Sequence, residues 1–189
     1  MLICLTGLPG SGKSISANIF KAHGFKIIEM SSFIRQMMKK QKIAITNKNL
    51  RNFSARMRKK YGKTIVAKLT AEKIESLLKK SAEKNRKIVI NGVRSMQEIR
   101  YFKKEFEKIY IIAIISNEKT RYARIVKRAR QDDIKSYNDF LWREKKEISW
   151  GLKQVIRNAD ILIFNNSTKQ ELKRNINSLT NMKHFILKY

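Results

Sequence analysis

The sequence predicts an α/β fold, a parallel sheet with helices over both faces. Three observations carry this: five apolar runs, helical patterns between them, and a glycine-rich loop joining the first run to the first helical pattern. The runs lie at residues 2 to 6, 26 to 28, 87 to 90, 109 to 115 and 160 to 164. They are near-continuous rather than alternating, as expected of strands buried on both faces. Strands separated by helices join in parallel through crossovers.

The first run, "LICLT", holds Cys4, the only cysteine, so no internal disulfide can form and the thiol is expected to be a small core group. The loop that follows, "GLPGSGKS" from Gly7 to Ser14, matches G-x-x-x-x-G-K-[ST] in full and precedes the helical run Ile15, Ile19, Phe20. Gly7, Gly10 and Gly12, with Ser11 between them, let backbone amides curl around phosphates. Lys13 would reach the β and γ oxygens, the Ser14 hydroxyl would ligate Mg²⁺, and the helix N-terminus adds partial positive charge. ATP and Mg²⁺ are therefore the expected ligands.

After the second run, Ser31 and Ser32 are placed to cap a helix that carries Arg35 one turn in, within a strongly basic segment. The third run ends at Asn91-Gly92. Such a pair often makes a hairpin, but a helical pattern follows here, so the chain crosses over instead. Phe102, Phe106 and Ile109, at spacings of four and three, predict a helix. Arg121, Arg124 and Arg128 recur at spacings of three and four, which puts them on one helical face with Arg130 just beyond. The last run, in "ADILIFNNS", reads as the final core strand.

At 189 residues the chain fits one domain, long enough to bury about 70% of its unfolded surface. Repeats and linkers are missing, and the only proline is Pro9. The N-terminus runs straight into the first strand, and no stretch nears the ~18 apolar residues of a membrane span. The expectation is a cytoplasmic protein that does not enter membranes, a monomer or small oligomer. Lys and Arg number 43 against 15 Asp and Glu, a net charge of +28. That field attracts polyanions, so RNA is a possible partner, although lysines spread over a solvated surface give the same total. His23 and His184 lack a second ligand at metal spacing and are assigned no role.

On "GLPGSGKS", "EMSSFIR", "INGVRSMQE", "RYARIVKRARQDD" and "ADILIFNNS", in that order, the chain resembles the nucleoside monophosphate kinases. The similarity is closer to the archaeal adenylate-kinase-related family, whose members are also compared with dephospho-CoA kinases. The resemblance implies a five-stranded P-loop kinase core in one domain, with a nucleotide-monophosphate flap at 31–60 and a lid at 119–149. It implies that Ser31, Arg35, Arg56 and Arg94 hold the acceptor, with Arg51, Arg58 and Lys59 of the same basic helix equally available in place of Arg56, and that Glu98 lies near the residue reading its base. Arg124 would stack on adenine, Arg128 would touch phosphate, and Asn165 would stand where the family's backbone meets adenine. Arg130 and Arg143 would reach the transferring phosphoryl group, held by Asp132 and Asp133. Asn91 takes the Walker B position, where the family's Asp would add negative charge beside Mg²⁺, so weakened turnover is expected.

Three functions remain open on this reading: a kinase acting on a nucleoside monophosphate, AMP first and dephospho-CoA as an alternative; a slow ATPase acting on RNA or ribosome precursors; and a nucleotide-binding sensor.

Overall fold

The computed structural model describes residues 1–79, 87–128 and 136–181. Five strands form one parallel sheet: β1 (Leu2–Thr6), β2 (Lys26–Glu29), β3 (Ile88–Asn91), β4 (Ile109–Ile115) and β5 (Ile161–Phe164), in the order β2-β3-β1-β4-β5. The protein has the α/β P-loop NTPase fold, with helices flanking the sheet. β1 and β3 are buried at every residue, whereas the edge strands β2 and β5 each bury a single residue, Ile28 and Ile163, and expose both of their neighbours in part or in full. Position in the sheet therefore accounts for the unbroken apolar runs in the centre.

One face carries α1 (Lys13–Ala22) and α9 (Lys169–Asn181), packed through Phe20, Leu172 and Ile176. The other carries α2 (Met30–Lys40), α3 (Asn47–Tyr61), α4 (Ile65–Lys79), α5 (Met96–Glu105) and α8 (Leu152–Arg157), around Met38, Ile74, Phe102 and Val155. Burying a side chain such as Phe20 or Phe102 contributes about 1.5–3 kcal/mol, so both faces add to stability. The pair α6 (Glu118–Arg128) and α7 (Tyr137–Ser149) has a smaller cluster of its own, built from Tyr122, Ile125 and Phe140.

Two local expectations are corrected. α5 ends at Glu105, and Phe106 turns extended at φ −137° and ψ 130°, so the helical spacing read through Phe106 to Ile109 runs across a helix end into β4. α2 begins at Met30 with Glu29 as its N-cap. Ser31 and Ser32 thus lie inside its first turn, and the Ser32 hydroxyl donates back to the Glu29 carbonyl at 2.7 Å instead of capping.

Strand register brings the site together. β2 pairs with β3 so that Glu29 lies beside Asn91, and Leu5 of β1 lies on the other side of Asn91. The ends of β2 and β3 and the loops after β1 and β5 therefore open onto one edge of the sheet, the usual place for ligands in such folds.

Candidate active site

A cavity of about 750 Å³ opens at these carboxyl ends. Its nucleotide side is lined by Gly10, Gly12, Lys13, Ser14, Arg124 and Asn165, and its opposite side by Ser31, Arg35, Leu50, Arg51, Ser54 and Trp150. Between them stand Glu29, Asn91, Arg94, Arg128, Arg143 and Glu147. Glu29 and Glu147 are the only carboxylates among the described lining residues, against six arginines and several lysines. Such a cavity attracts anions.

The loop after β1 is held from several directions. A Cβ on Gly10, whose φ is +80°, would collide with the Arg121 carbonyl. The Asn165 amide donates to the Ser11 carbonyl at 2.7 Å and leaves no room for a side chain on Gly12. α3, α5 and α7 have their first-turn amides capped by Thr46, Ser95 and Ser136, but α1 has no side-chain cap and no acid in its first turn. Its amides stay available to an anion. Gly7 and Ser11 support the loop from behind and are not part of the lining. Lys13 is stowed against the loop itself, donating to the carbonyls of Gly7 at 2.6 Å and Leu8 at 2.9 Å. Burial lowers its pKa to about 8; Glu147 counteracts this, and Arg94, Arg143 and Arg128 add to it.

The arginine face of α6 splits in two. Arg121 is buried; its Nε donates to the Ser116 carbonyl at 3.0 Å and it pairs with Glu144, so it ties α6 to α7 and supports the loop. Arg124 lines the cavity and donates to the Asn165 carbonyl at 2.8 Å and the Ser167 carbonyl at 2.9 Å. Arg128 also lines the cavity. Arg130, Asp132, Asp133 and His184 lie outside the described residues. His23 pairs with Asn177 at 2.9 Å, away from the site.

At the centre, Glu147 faces Arg94 Nε at 3.7 Å and Arg143 Nε at 3.6 Å. Burial pushes its carboxyl up, but Arg94, Arg143 and Lys13 together outweigh that and hold it below the ordinary carboxylate value. Across from it, the Asn91 amide nitrogen donates to Glu29 Oε1 at 2.7 Å, while Asn91 Oδ1 is buried without a hydrogen-bond partner. No cluster of three His, Cys, Asp or Glu able to hold a metal occurs among the described residues. Mg²⁺ beside bound phosphates needs no such cluster, since it takes one or two protein oxygens and completes its shell with water and phosphate. The Ser14 hydroxyl, Glu29 and the unpartnered Asn91 Oδ1 are hard oxygen donors of that kind.

Two expected acceptor residues stand elsewhere. Glu98 is buried inside the protein, accepting from the Arg94 backbone amide at 2.8 Å and from Arg58 at 3.3 Å, so its carboxylate cannot read a base. Arg56 points to the exposed side of α3 and bonds Gln41 at 3.2 Å, while Arg51 and Ser54 of the same helix line the cavity. The sequence reading missed Glu29, Glu147 and Trp150, and left Arg51 open as an equal of Arg56. One signal for Glu29 was present: a lone acid ending an apolar strand, directly before the "SSFIR" helix.

No described helix is long and apolar enough to cross a membrane. Residues 6–140 match the AAA domain family. A UPF0200 protein of Pyrococcus abyssi is 41% identical over 178 residues, 93% of this chain and 93% of the relative. One from Thermoplasma volcanium is 40% identical over 167 residues, 88% of this chain and 89% of the relative. Among solved structures, a gluconokinase from Sinorhizobium meliloti superposes with a TM-score of 0.58 at 13% identity, over 98% of this chain and 94% of that one. Shikimate kinase from Aquifex aeolicus gives a TM-score of 0.54 at 15% identity, over 97% and 98%. At these identities the structural likeness establishes a kinase-like P-loop fold.

Proposed function

The chain belongs to the UPF0200 family, and from that footing we propose that it is an ATP- and Mg²⁺-dependent phosphotransferase whose acceptor is a small anionic molecule, AMP the first candidate. The observation that supports this most is one cavity that holds an uncapped phosphate loop on one side, Arg35 on the other and Arg94 between them. ATP phosphates take the loop amides, and Lys13 leaves its two carbonyls to meet the β and γ oxygens. Ser14 with Glu29 and Asn91 would hold Mg²⁺, which supplies charge neutralisation at the phosphates. Glu29 then provides the carboxylate that position 91 lacks, with Asn91 orienting it.

On the acceptor side Arg35 and Arg94 clamp the acceptor phosphate, and Ser31 adds a hydroxyl. Arg128 and Arg143 face the region between donor and acceptor, where negative charge spreads in the transition state. Arg124 and Asn165 shape the wall against which adenine stacks. α2 and α3 act as the flap and α6 with α7 as the lid, whose closure excludes water and strengthens each contact.

Glu29 also favours a second reading. A carboxylate at the centre of the cavity can take a proton from an acceptor hydroxyl, which a phosphate acceptor does not require. An alcohol acceptor such as dephospho-CoA would use it so.

The test is product formation from ATP and Mg²⁺ with AMP, GMP, CMP, UMP and dephospho-CoA, in wild type, Lys13→Ala and Glu29→Gln. ADP formed from AMP, lost in Lys13→Ala, is the expected result. Phosphorylation of dephospho-CoA alone, abolished by Glu29→Gln, would move the assignment to the second reading. A protein that binds ATP, uses no acceptor and hydrolyses ATP only when RNA is added would sink both.

A further inference from the structure

Arg51 differs from the other arginines of the site. It lies on α3 between Leu50 and Ser54 and lines the cavity with them. Its guanidinium carbon sits 4.0 Å from the centre of the Trp142 ring of α7. Nε and Nη1 are shut off from solvent, and neither has a hydrogen-bond partner. Arg121 and Arg124, in contrast, spend their donors on carbonyls and a carboxylate of the protein itself.

An indole face attracts the cation but cannot accept its in-plane N–H bonds, so the stack fixes Arg51 and leaves those donors unspent. Charged donors buried without acceptors are costly, and an oxyanion is the ligand that removes the cost. The surroundings agree. Burial lowers the Arg51 pKa, Asp139 partly offsets this and Arg143 adds to it. Arg35 and Arg94 line the same cavity. The stack also gives a use to Trp142, which is 48% exposed and lies outside the hydrophobic clusters.

We propose that Arg51, seated on Trp142, binds the phosphate oxygens of a phosphate-monoester acceptor and, through that stack, couples the acceptor helix α3 to the lid helix α7. The proposal rests on the phosphotransferase reading and names a specificity residue within it. Trp142 acts as a positioning residue, since it reaches the ligand only through Arg51.

The test uses the full chain with AMP, GMP, CMP and UMP as probes, adenosine as an uncharged control and ATP as the control for the phosphate loop. Arg51→Met keeps the stem and removes the charge. It is expected to weaken the tightest monophosphate by about tenfold to a hundredfold, the scale of a charge-assisted hydrogen bond, with ATP affinity within about twofold of wild type. Arg51→Lys, which cannot reproduce the planar stack, should lose part of that affinity and carries the test if the Met variant melts early. Trp142→Leu should cost about threefold, with Trp142→Phe restoring most of it because a ring face remains. In a Trp150→Phe background Trp142 is the only indole of the chain. Monophosphate should then change its emission, and Arg51→Met should abolish the change. Three results would overturn the proposal: wild type binding none of the four monophosphates, Arg51→Met binding them as tightly as wild type, or equal losses for ATP and monophosphate. ATP binding in wild type against Lys13→Ala reports on the phosphotransferase reading separately.

Discussion

Both ends of the cavity are rich in arginine, but they hold it differently. At the nucleotide end Arg121 and Arg124 are tied into carbonyls of the loops after β4 and β5, and Asn165 fastens the phosphate loop from behind. From the centre to the opposite side the arginines are held more loosely: Arg94 and Arg143 face Glu147 at 3.7 and 3.6 Å, beyond ordinary hydrogen-bond length, and Arg51 keeps buried donors unpaired. The first arrangement gives a rigid cradle for a ligand common to many proteins. The second leaves charge that the proposed acceptor would complete, as expected where binding assembles the reacting groups.

Two glycines test the rigid half against the open half. Gly10 and Gly92 both have left-handed φ, +80° and +101°, so alanine is strained at either. Alanine at Gly10 also meets the Arg121 backbone, which cannot move without disturbing α6, whereas a Cβ at Gly92 would meet nothing within 4 Å beyond its chain neighbours. Gly92→Ala should cost about 1–2 kcal/mol of stability, the conformational term alone, and Gly10→Ala clearly more, about 3 kcal/mol, with most ATP affinity lost. Denaturant unfolding and ATP titration of the two variants would check this. Equal costs would mean that the loop is not braced as described.

The same contrast explains what the sequence revealed. A phosphate loop is built from backbone amides, so it demands glycines, a lysine and a serine at fixed spacing, and Gly7 to Ser14 could be recognised from the chain alone. The sheet was legible because β1 and β3 are buried on both faces. The acceptor half is made by long side chains converging from separate elements. Glu147 has no meaning until α7 is folded beside Arg94. Arg51 and Arg56 are equally basic in the sequence, and only the orientation of α3 separates them. Glu98 looked like a ligand because its distance along the chain was right, yet α5 turns it inward to meet Arg58. Asn91 looked deficient because its neighbour Glu29, on another strand, is visible only through the β2–β3 register.

Glu147 gives a smaller effect that is specific to the open half. Breaking a buried ion pair costs about 3–5 kcal/mol, but Arg94 and Arg143 are 24% and 22% exposed, so about 1–2 kcal/mol is expected from Glu147→Gln. The sign with pH follows from its depressed pKa. The carboxylate stabilises the fold above the ordinary value of 4.5 and loses that contribution as pH falls through the lower folded value. Wild type should therefore lose stability on acidification that the glutamine variant has already lost, and their melting temperatures should converge at low pH. Added pyrophosphate should raise the melting temperature of the variant more than that of wild type, because it supplies the anion the arginines have lost. Parallel curves at every pH would show that Glu147 carries no charge-dependent role.

The smallest effect is expected at Asn91, and it decides how the two halves meet. Considered alone, an amide in place of a carboxylate beside Mg²⁺ predicts that Asn91→Asp restores charge and raises kcat. With Glu29 accepting from the Asn91 amide at 2.7 Å, that charge is already present, and the substitution replaces a donor with a second carboxylate facing the first. Like charges so close cannot both ionise at low cost; one pKa rises and the pair shares a proton. The expected outcome for Asn91→Asp is a kcat within about threefold of wild type at saturating Mg²⁺, or lower, with a new pH dependence above pH 5 that wild type lacks. Glu29→Gln should be the more damaging change, since it removes the only carboxylate of the pair. Profiles of kcat against pH for the three proteins would settle the order. A tenfold gain in Asn91→Asp, about 1.4 kcal/mol of transition-state stabilisation, would mean that Glu29 does not serve the metal and that position 91 limits the enzyme after all.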